Sequence, residues 1–413
     1  MVKQIAALEI SNRYYKLVVG YVLENKVDIL YKTKRPLSVP FKDGDIFDIG
    51  SLSDDLSKLN IVESVENDHK LKINVNEITL VLPPYGLQVY NSIKSTNTVS
   101  NISKIDKIDI SNALALVKKE KLPNLNDELI DIIPNKFITD NNITYTKPPL
   151  NESSQTVTID ADVFTLPKKM VSDMKNACNR ANFKVKREVI APVGVEILLK
   201  NSNFKYPTYI LVDFSYKTTS LSLIGQGRIY SSNFFSLGID DMIEMIVDQL
   251  NIDKEVAEKL VNTYGIDIRK TAYNPYIVES KDGRKFTKDD LMNVIYNFFK
   301  TWIGYFNGSL SNILNGNDEF KKTIPIVMMG NGADLNGLKD YMLKVFPTNP
   351  YEKIVLPVVA CRESEFINCI SAIYMSSSYR GALEDENKLQ VASVKREETY
   401  KKQDKYDELK DEL

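Results

Sequence analysis

The chain has 413 residues and a formal net charge of -2, with three cysteines and one histidine. That length is too great for one hydrophobic core, so two or more domains are expected. The charge balance leaves no overall basic footprint for nucleic acid. The scattered Cys178, Cys361 and Cys369 fit a reducing compartment without metal spacing, and a lone His69 excludes a two-histidine metal site and argues against a Ser-His-Asp triad. No secretory leader and no apolar run long enough to span a bilayer is visible, so the terminal Lys410-Asp411-Glu412-Leu413 is read as a chance tetrapeptide.

Ile5 to Gly20 reads as strand, polar turn (Glu9 to Arg13) and strand, and Val27 to Thr33 as a third strand. Asp48 opens a helix with Leu52, Leu56 and Leu59 on its apolar side. Val75 to Leu82 is a strand stopped by Pro83-Pro84. Tyr85 to Pro167 changes character, being rich in Asn, Ser, Thr, Lys and Ile. It is expected to hold a helix, Ser111 to Lys119, capped by Asp109 or Ser111, and strands over Leu129 to Pro134, Lys136 to Thr139 and Thr156 to Phe164. These make a small α+β subdomain inserted into the first domain. A helix from Pro167 to Ala181, a strand from Phe183 to Val189 and a helix from Pro192 to Leu199 follow.

Tyr209 to Ser232 is the most informative stretch. Ile210-Leu211-Val212 ends in Asp213, a polar turn follows, Ser220 to Ile224 alternates, and Gly225-Gln226-Gly227 makes a second turn. An acid closing a buried strand needs a partner, whether a cation, a phosphate-linked metal or a hydrogen bond. The pattern repeats the one at Glu9. Helices are expected over Asp240 to Leu250 and Lys254 to Thr263 (stopped by Gly265), and a long helix or helix pair over Lys288 to Leu314, with Trp302 in its apolar pattern. The strand Ile324 to Met329 runs through Gly330-Asn331-Gly332-Ala333 into a helix from Leu335 to Val345. That geometry sets backbone N–H groups against phosphate or ribose, although glycine also serves tight turns for steric reasons alone. Phe366 to Ser376 is a last apolar helix. From Ala382 the tail is dominated by Lys, Glu and Asp, with Tyr400, Tyr406, Leu409 and Leu413 as a thin apolar stripe. It is read as disordered or weakly helical, and its interspersed acids argue against direct lipid binding.

Two strand–acid–strand units and a later strand–GxGA–helix resemble the superfamily of actin, the heat-shock chaperones and the sugar kinases. Within it, AALEISNRYYKLVVG, LIDIIPNKFITDNNI, LVDFSYKTTSLSLIGQGRIYSSNFFSLGIDDM, VAEKLVNTYG and MMGNGADLNGL resemble the motifs of the bacterial cell-division family FtsA. The resemblance implies an α/β, two-lobed, actin-like fold of four subdomains. Subdomain 1A would take residues 1–82, 166–203 and 358–381, the inserted 1C 83–165, 2A 204–250 with 303–357, and 2B 251–302, with a charged tail over 382–413. It further implies ATP with Mg2+ held by Asn12, Arg13, Lys16, Asp213, Lys217, Thr218, Thr219, Glu258, Gly330, Gly332 and Ala333, the metal at Asp213. As partners it implies the FtsZ C-terminal peptide, docking near Lys288, Phe298 and Lys300, and further copies of the chain in head-to-tail polymers or dimers. The place of action would be the cytoplasmic face of the membrane at the division site.

The departures from the family concentrate in the chemistry. Glu9 replaces the family's first aspartate, Asn12 stands for the phosphate-touching hydroxyl, and Val261 replaces a ribose-side lysine. Where the second turn carries three glycines, this chain has Ser215, Tyr216 and Lys217. Glycine there admits close approach and positive φ, which a side chain resists. Either ATP binds by altered contacts, with Lys16 and Lys217 as point charges, or the pocket is a relict that binds it weakly or not at all. Hydrolysis would be at most slow. The readings in play are a division scaffold, a small-molecule kinase of the same superfamily, and another actin-like assembly adaptor such as one for pili.

Overall fold

A computed structural model describes residues 3–38, 42, 44–66, 69–99, 103–202, 204–269, 273–316, 323–356, 358 and 361–378. The expected tail over 382–413 lies outside them. The chain divides into two compact units, one of Met1–Leu87 with Pro167–Ser378 and one that takes in Gln88–Leu166.

The first unit contains the same sheet twice. Its first half runs β1 (Ile5–Ile10), β2 (Tyr14–Leu23), β3 (Lys26–Pro36), α1 (Ile49–Ser57), a hairpin of β4 (Ile61–Glu66) and β5 (His69–Asn74), and β6 (Glu77–Leu82). In the second unit lie β7 (Gln88–Asn97), α2 (Lys107–Lys118), β8 (Asp127–Thr139), β9 (Thr144–Tyr145) and β10 (Thr156–Pro167). The first half resumes with α3 (Lys168–Arg180), β11 (Lys184–Ile190) and α4 (Ala191–Asn201). The second half is β12 (Thr208–Phe214), β13 (Thr219–Gly225), β14 (Arg228–Phe235), α5 (Ile239–Leu250), α6 (Lys254–Tyr264), β15 (Tyr276–Glu279), β16 (Lys285–Thr287), α7 (Lys288–Leu314), β17 (Ile326–Met329), α8 (Leu338–Val345) and β18 (Tyr351–Lys353). Helix α9 (Ile367–Ser378) closes the described chain and packs on β1, β2 and β6, which returns it to the first half.

The two large sheets are ordered β11-β6-β1-β2-β3 and β14-β13-β12-β17-β18. In each, an antiparallel meander starts from a central strand that pairs in parallel on its other side, β1 with β6 and β12 with β17. Parallel pairing needs long crossovers, which the helices supply. The repeat extends to the turns: Ser11 N donates to Tyr14 O at 2.8 Å, and Ser215 N donates to Thr218 O at 2.9 Å, each two residues past its strand-end acid. The core of the second half gathers around Trp302, which is fully buried among Phe214, Phe235, Phe299 and Phe306.

The inserted unit has the sheet order β7-β10-β8-β9 and its own core, with Ile132, Val157, Ile159 and Val163 packed under Ile110, Ala113 and Leu114 of α2. Here the structure corrects three readings. Helix α2 starts four residues before the expected Ser111, because Asp106 accepts from Ile108 N and Asp109 N while Asp109 accepts from Asp106 N, a reciprocal cap that places Asp109 inside the helix. Strand β8 runs straight through Pro134. Strand β7, paired along its whole length with β10, was not expected from sequence.

Candidate functional site

The ends of β1 and β12 bring Glu9 and Asp213 to one cleft between the halves of the first unit. Glu9 and Lys16 face each other across the β1–β2 pair, and Lys16 Nζ lies 2.8 Å from Glu9 Oε2. That ammonium is 1% exposed and also donates to Glu365 O at 2.7 Å. Burial is the largest influence and works against its charge, but Glu9, Cys369 and Asp213 together outweigh it and raise the Lys16 pKa above that of an ordinary lysine. Asn368, from the first turn of α9, donates to Glu9 Oε1 at 3.1 Å and to Asp213 Oδ2 at 3.0 Å. Asp213 Oδ1 is buried without a hydrogen bond. Burial, then the Glu9 charge, push the Asp213 carboxyl up to about 6, against the pull of Lys16 and Asn368.

The second turn is fixed by its backbone. Ile239 N and Asp240 N, at the start of α5, donate to Ser215 O at 3.0 Å and Tyr216 O at 2.8 Å. These N–H groups, the ones a helix start offers to an anion, are therefore spent on the turn itself. Gly238 permits the approach, since a Cβ there would lie 2.3 Å from Tyr216 O. Tyr216 is thus held in the cleft, buried, with its ring 4.3 Å from that of Tyr14. Its hydroxyl donates to Glu365 Oε2 and accepts from Lys34 Nζ at 2.6 Å. Burial and the Glu365 charge push its phenol pKa far up.

Two spaces remain. One of about 30 Å³ is lined by Glu9, Asp213, Ser215, Thr218, Ser220 and Asn368. One of about 290 Å³ lies beyond Tyr216, where Asp240, Glu258, Asp334 and Glu365 line it against Lys34.

The expected nucleotide residues fall as follows. Arg13 Nη1 is 2.8 Å from Asp240 Oδ2, a charge contact outside hydrogen-bond geometry, and donates to Glu244 Oε1 at 3.1 Å. Lys217 is paired with Asp241 at 2.9 Å and Glu244 at 2.6 Å. Asn12 is buried with Oδ1 unsatisfied. Thr218 shares a 3.0 Å hydrogen bond with Tyr85. Thr219 points the other way, which corrects the expectation for it: its hydroxyl donates to Leu237 O at 2.8 Å and accepts from Trp302 Nε1 at 2.9 Å inside the core. Glu258 lines the larger space. Gly330, Gly332 and Ala333 sit on a 3-10 turn, Asn331–Asp334, and α8 begins only at Leu338, so the glycines do not open the helix as expected. A Cβ on Gly332 would lie 2.3 Å from the Phe214 ring, and one on Gly330, at φ +83°, 2.4 Å from Asp213 Oδ1. Both glycines make room for this chain's own strand β12.

Of the expected partner residues, Lys300 is exposed and Lys288 is paired with Asp267 at 2.7 Å. Phe298 is 1% exposed and Phe299 fully buried, so neither presents a docking face: both point into the α7 core with Leu291, Ile295 and Trp302. Sequence reasoning missed Lys34, Tyr14, Tyr85, Glu365 and Asn368. The last two were legible only as polar residues, three apart, at the start of an apolar helix.

The chain is similar to the cell division protein FtsA of Staphylococcus epidermidis RP62A, 20% identical over 402 residues, spanning 90% of this chain and 79% of that one. FtsA of a second S. epidermidis strain aligns at 20% identity over 391 residues. Among solved structures it superposes on a chain of the PilM-PilN type IV pilus biogenesis complex with a TM-score of 0.57, at 13% identity over 91% of this chain and 98% of that one. MreB 5 of Spiroplasma citri, bound to AMPPNP, gives 0.51 at 13% identity over 95% and 99%. No protein-family profile matches the chain. The fold is the actin-like fold. In this actin-like chain no described helix is long and apolar enough to cross a membrane, and no group of three or more His, Cys, Asp or Glu among the described residues is placed to hold a metal.

The residues present do not fit a nucleoside triphosphate with its metal. Tyr216 fills the turn that would approach the phosphates, Lys16 and Lys217 are neutralised by acids of the chain, and carboxylates line the space beyond. Bringing a polyanion beside these carboxylates sets like charges against one another.

Proposed function

We propose that the chain is a non-enzymatic actin-like scaffold of bacterial cell division, one that self-associates and meets FtsZ, and whose cleft has exchanged nucleotide contacts for contacts between its own side chains. The observation that carries this reading is Tyr216, bound to Lys34 and Glu365 where the resemblance expects a glycine turn around phosphate. The likeness to FtsA over most of both chains supports the division role. The four subdomains, with 2B as the peptide-docking region, belong to the same proposal. A superfamily kinase would need an open phosphate site, which the closed turn counts against.

Calorimetric titration with Mg·ATP is expected to give no binding tighter than roughly 1 mM, and a micromolar affinity would overturn the nucleotide-free cleft. Co-sedimentation with FtsZ is expected to be positive without added nucleotide. Self-assembly without FtsZ binding would instead favour another actin-like adaptor, the reading suggested by the likeness to the PilM-PilN structure. On 2B, Lys300 is exposed and available to an acidic peptide. Lys300→Glu is expected to weaken binding of the FtsZ C-terminal peptide by about tenfold, read by fluorescence anisotropy; unchanged affinity would remove this face from the proposal.

A further inference from the structure

The resemblance implies ATP held by residues of both turns. Here the halves are joined by side chains. Among the described residues, the contacts that cross the cleft include the following. Arg13, between β1 and β2, reaches Asp240 and Glu244 of α5. Asn368 of α9 links Glu9 of β1 to Asp213 of β12. Ser364 donates from N and Oγ to Asp334, at 3.0 and 2.8 Å. Tyr216, between β12 and β13, is bound by Glu365 and Lys34 of the first half and lies against Tyr14.

The last contact is the most completely built. Lys34 Nζ lies 5.0 Å from the Tyr216 ring centre and 5.3 Å from that of Tyr14, and it also donates to Glu365 Oε1 at 3.2 Å. The Tyr216 hydroxyl uses its donor on Glu365 and a lone pair on Lys34. Hydrogen bonds to charged groups on a ring held between two half-cores are the strong class. The backbone adds to this, because the α5 N–H groups pin the turn that carries Tyr216.

We infer that Lys34, Tyr216 and Glu365 form a latch that holds the cleft closed without nucleotide, doing by intramolecular contact what a bound phosphate would do. The inference deepens the proposed scaffold and rests on its reading of the cleft as nucleotide-free. A scaffold closed in this way presents its assembly surfaces constitutively, and its assembly is not timed by nucleotide turnover.

The test uses the full chain with Tyr216→Phe, Glu365→Gln and both together, followed by hydrogen exchange of residues 213–220 and 361–369. Tyr216→Phe keeps the ring and removes only the hydroxyl, and Glu365→Gln keeps the shape and removes the charge. In the double variant, exchange in both segments is expected to speed up about tenfold or more, while residues 156–180 exchange as in the parent and the circular dichroism melt stays cooperative. Lys34→Arg, which retains the charge over the rings, is expected to change exchange by less than about twofold. An increase in the double variant of less than about threefold overturns the latch, as does an equal increase in residues 156–180, which would mark general loosening. Adding Mg·ATP to the parent tests the underlying reading separately: slower exchange at 213–220 would show a nucleotide in the cleft, whereas the latch stands or falls on the variants measured without it.

Discussion

Lys16→Met is expected to destabilise the protein by about 3 to 5 kcal/mol, the range found when one member of a buried ion pair is removed. The Lys16 ammonium is enclosed, 2.8 Å from Glu9 and bound to Glu365 O. Without it, Glu9 remains beside Asp213 with the Asn368 amide and the weak Cys369 thiol donor to answer two buried carboxylates. Removing the pair together is a different matter. Glu9→Gln with Lys16→Met takes both charges out of the interior, and it is expected to recover most of the loss, because desolvation of a buried pair offsets much of its attraction. Urea unfolding of the two single variants and the double, followed by circular dichroism, gives the comparison. A Lys16→Met midpoint equal to the parent's would show that the lysine is not held by the fold, and would return it to the role of a phosphate contact.

The fold was legible where hydrophobic pattern and punctuation agree. Strand, acid, turn, strand reads the same at Glu9 and Asp213, and the two sheets share one order from that unit outward. It was less legible where pairing partners rather than propensity decide. Strand β7, with the sequence QVYNSIKSTN, has too few apolar residues to announce itself; ten consecutive pairs to β10 make it a strand. The sequence pattern ends a strand at Pro134, yet β9 reaches only Phe137 and Ile138 of β8, so the N–H that proline lacks is not needed by β9 there. In the site, the residues on the two turns were legible and their opposites, Glu365 on the 3-10 turn Ser364–Phe366 and Asn368 on α9, were not. Glu365 and Asn368 lie some hundred and fifty residues beyond the turn they meet, and no local pattern records such a contact. Phe298 was misread for the converse reason. Leu291, Ile295, Phe298, Trp302 and Phe306 follow a helical stride of three and four, the mark of a buried face, and that stride should have outweighed the analogy to a docking residue.

Asp213→Asn is expected to stabilise the protein at neutral pH, by roughly 2 kcal/mol. The carboxyl's folded pKa is raised from 3.8 to about 6 by burial first and by Glu9 second. A raised acid binds more protons in the folded chain than in the unfolded one. Its contribution to stability is therefore fully present below the unfolded pKa and is lost as pH rises through about 6. At pH 7.5 the parent carries that loss in full, and asparagine, which has no charge to desolvate, does not. The advantage of the variant should shrink as pH falls from about 7 and vanish near pH 4, so urea midpoints of parent and variant converge there. A variant less stable than the parent at pH 7.5 would mean that the ionised carboxylate is held by something favourable, a cation foremost. If the stabilisation is observed, Asp213 is a charge that the fold carries at a net cost. Lys16, Tyr216 and Thr219 have each found intramolecular partners, whereas Asp213 keeps one oxygen, Oδ1, buried and unsatisfied. Stability alone would have favoured the amide at this position. The retained acid is then, with Asn12, a part of the site that the closed cleft has not absorbed.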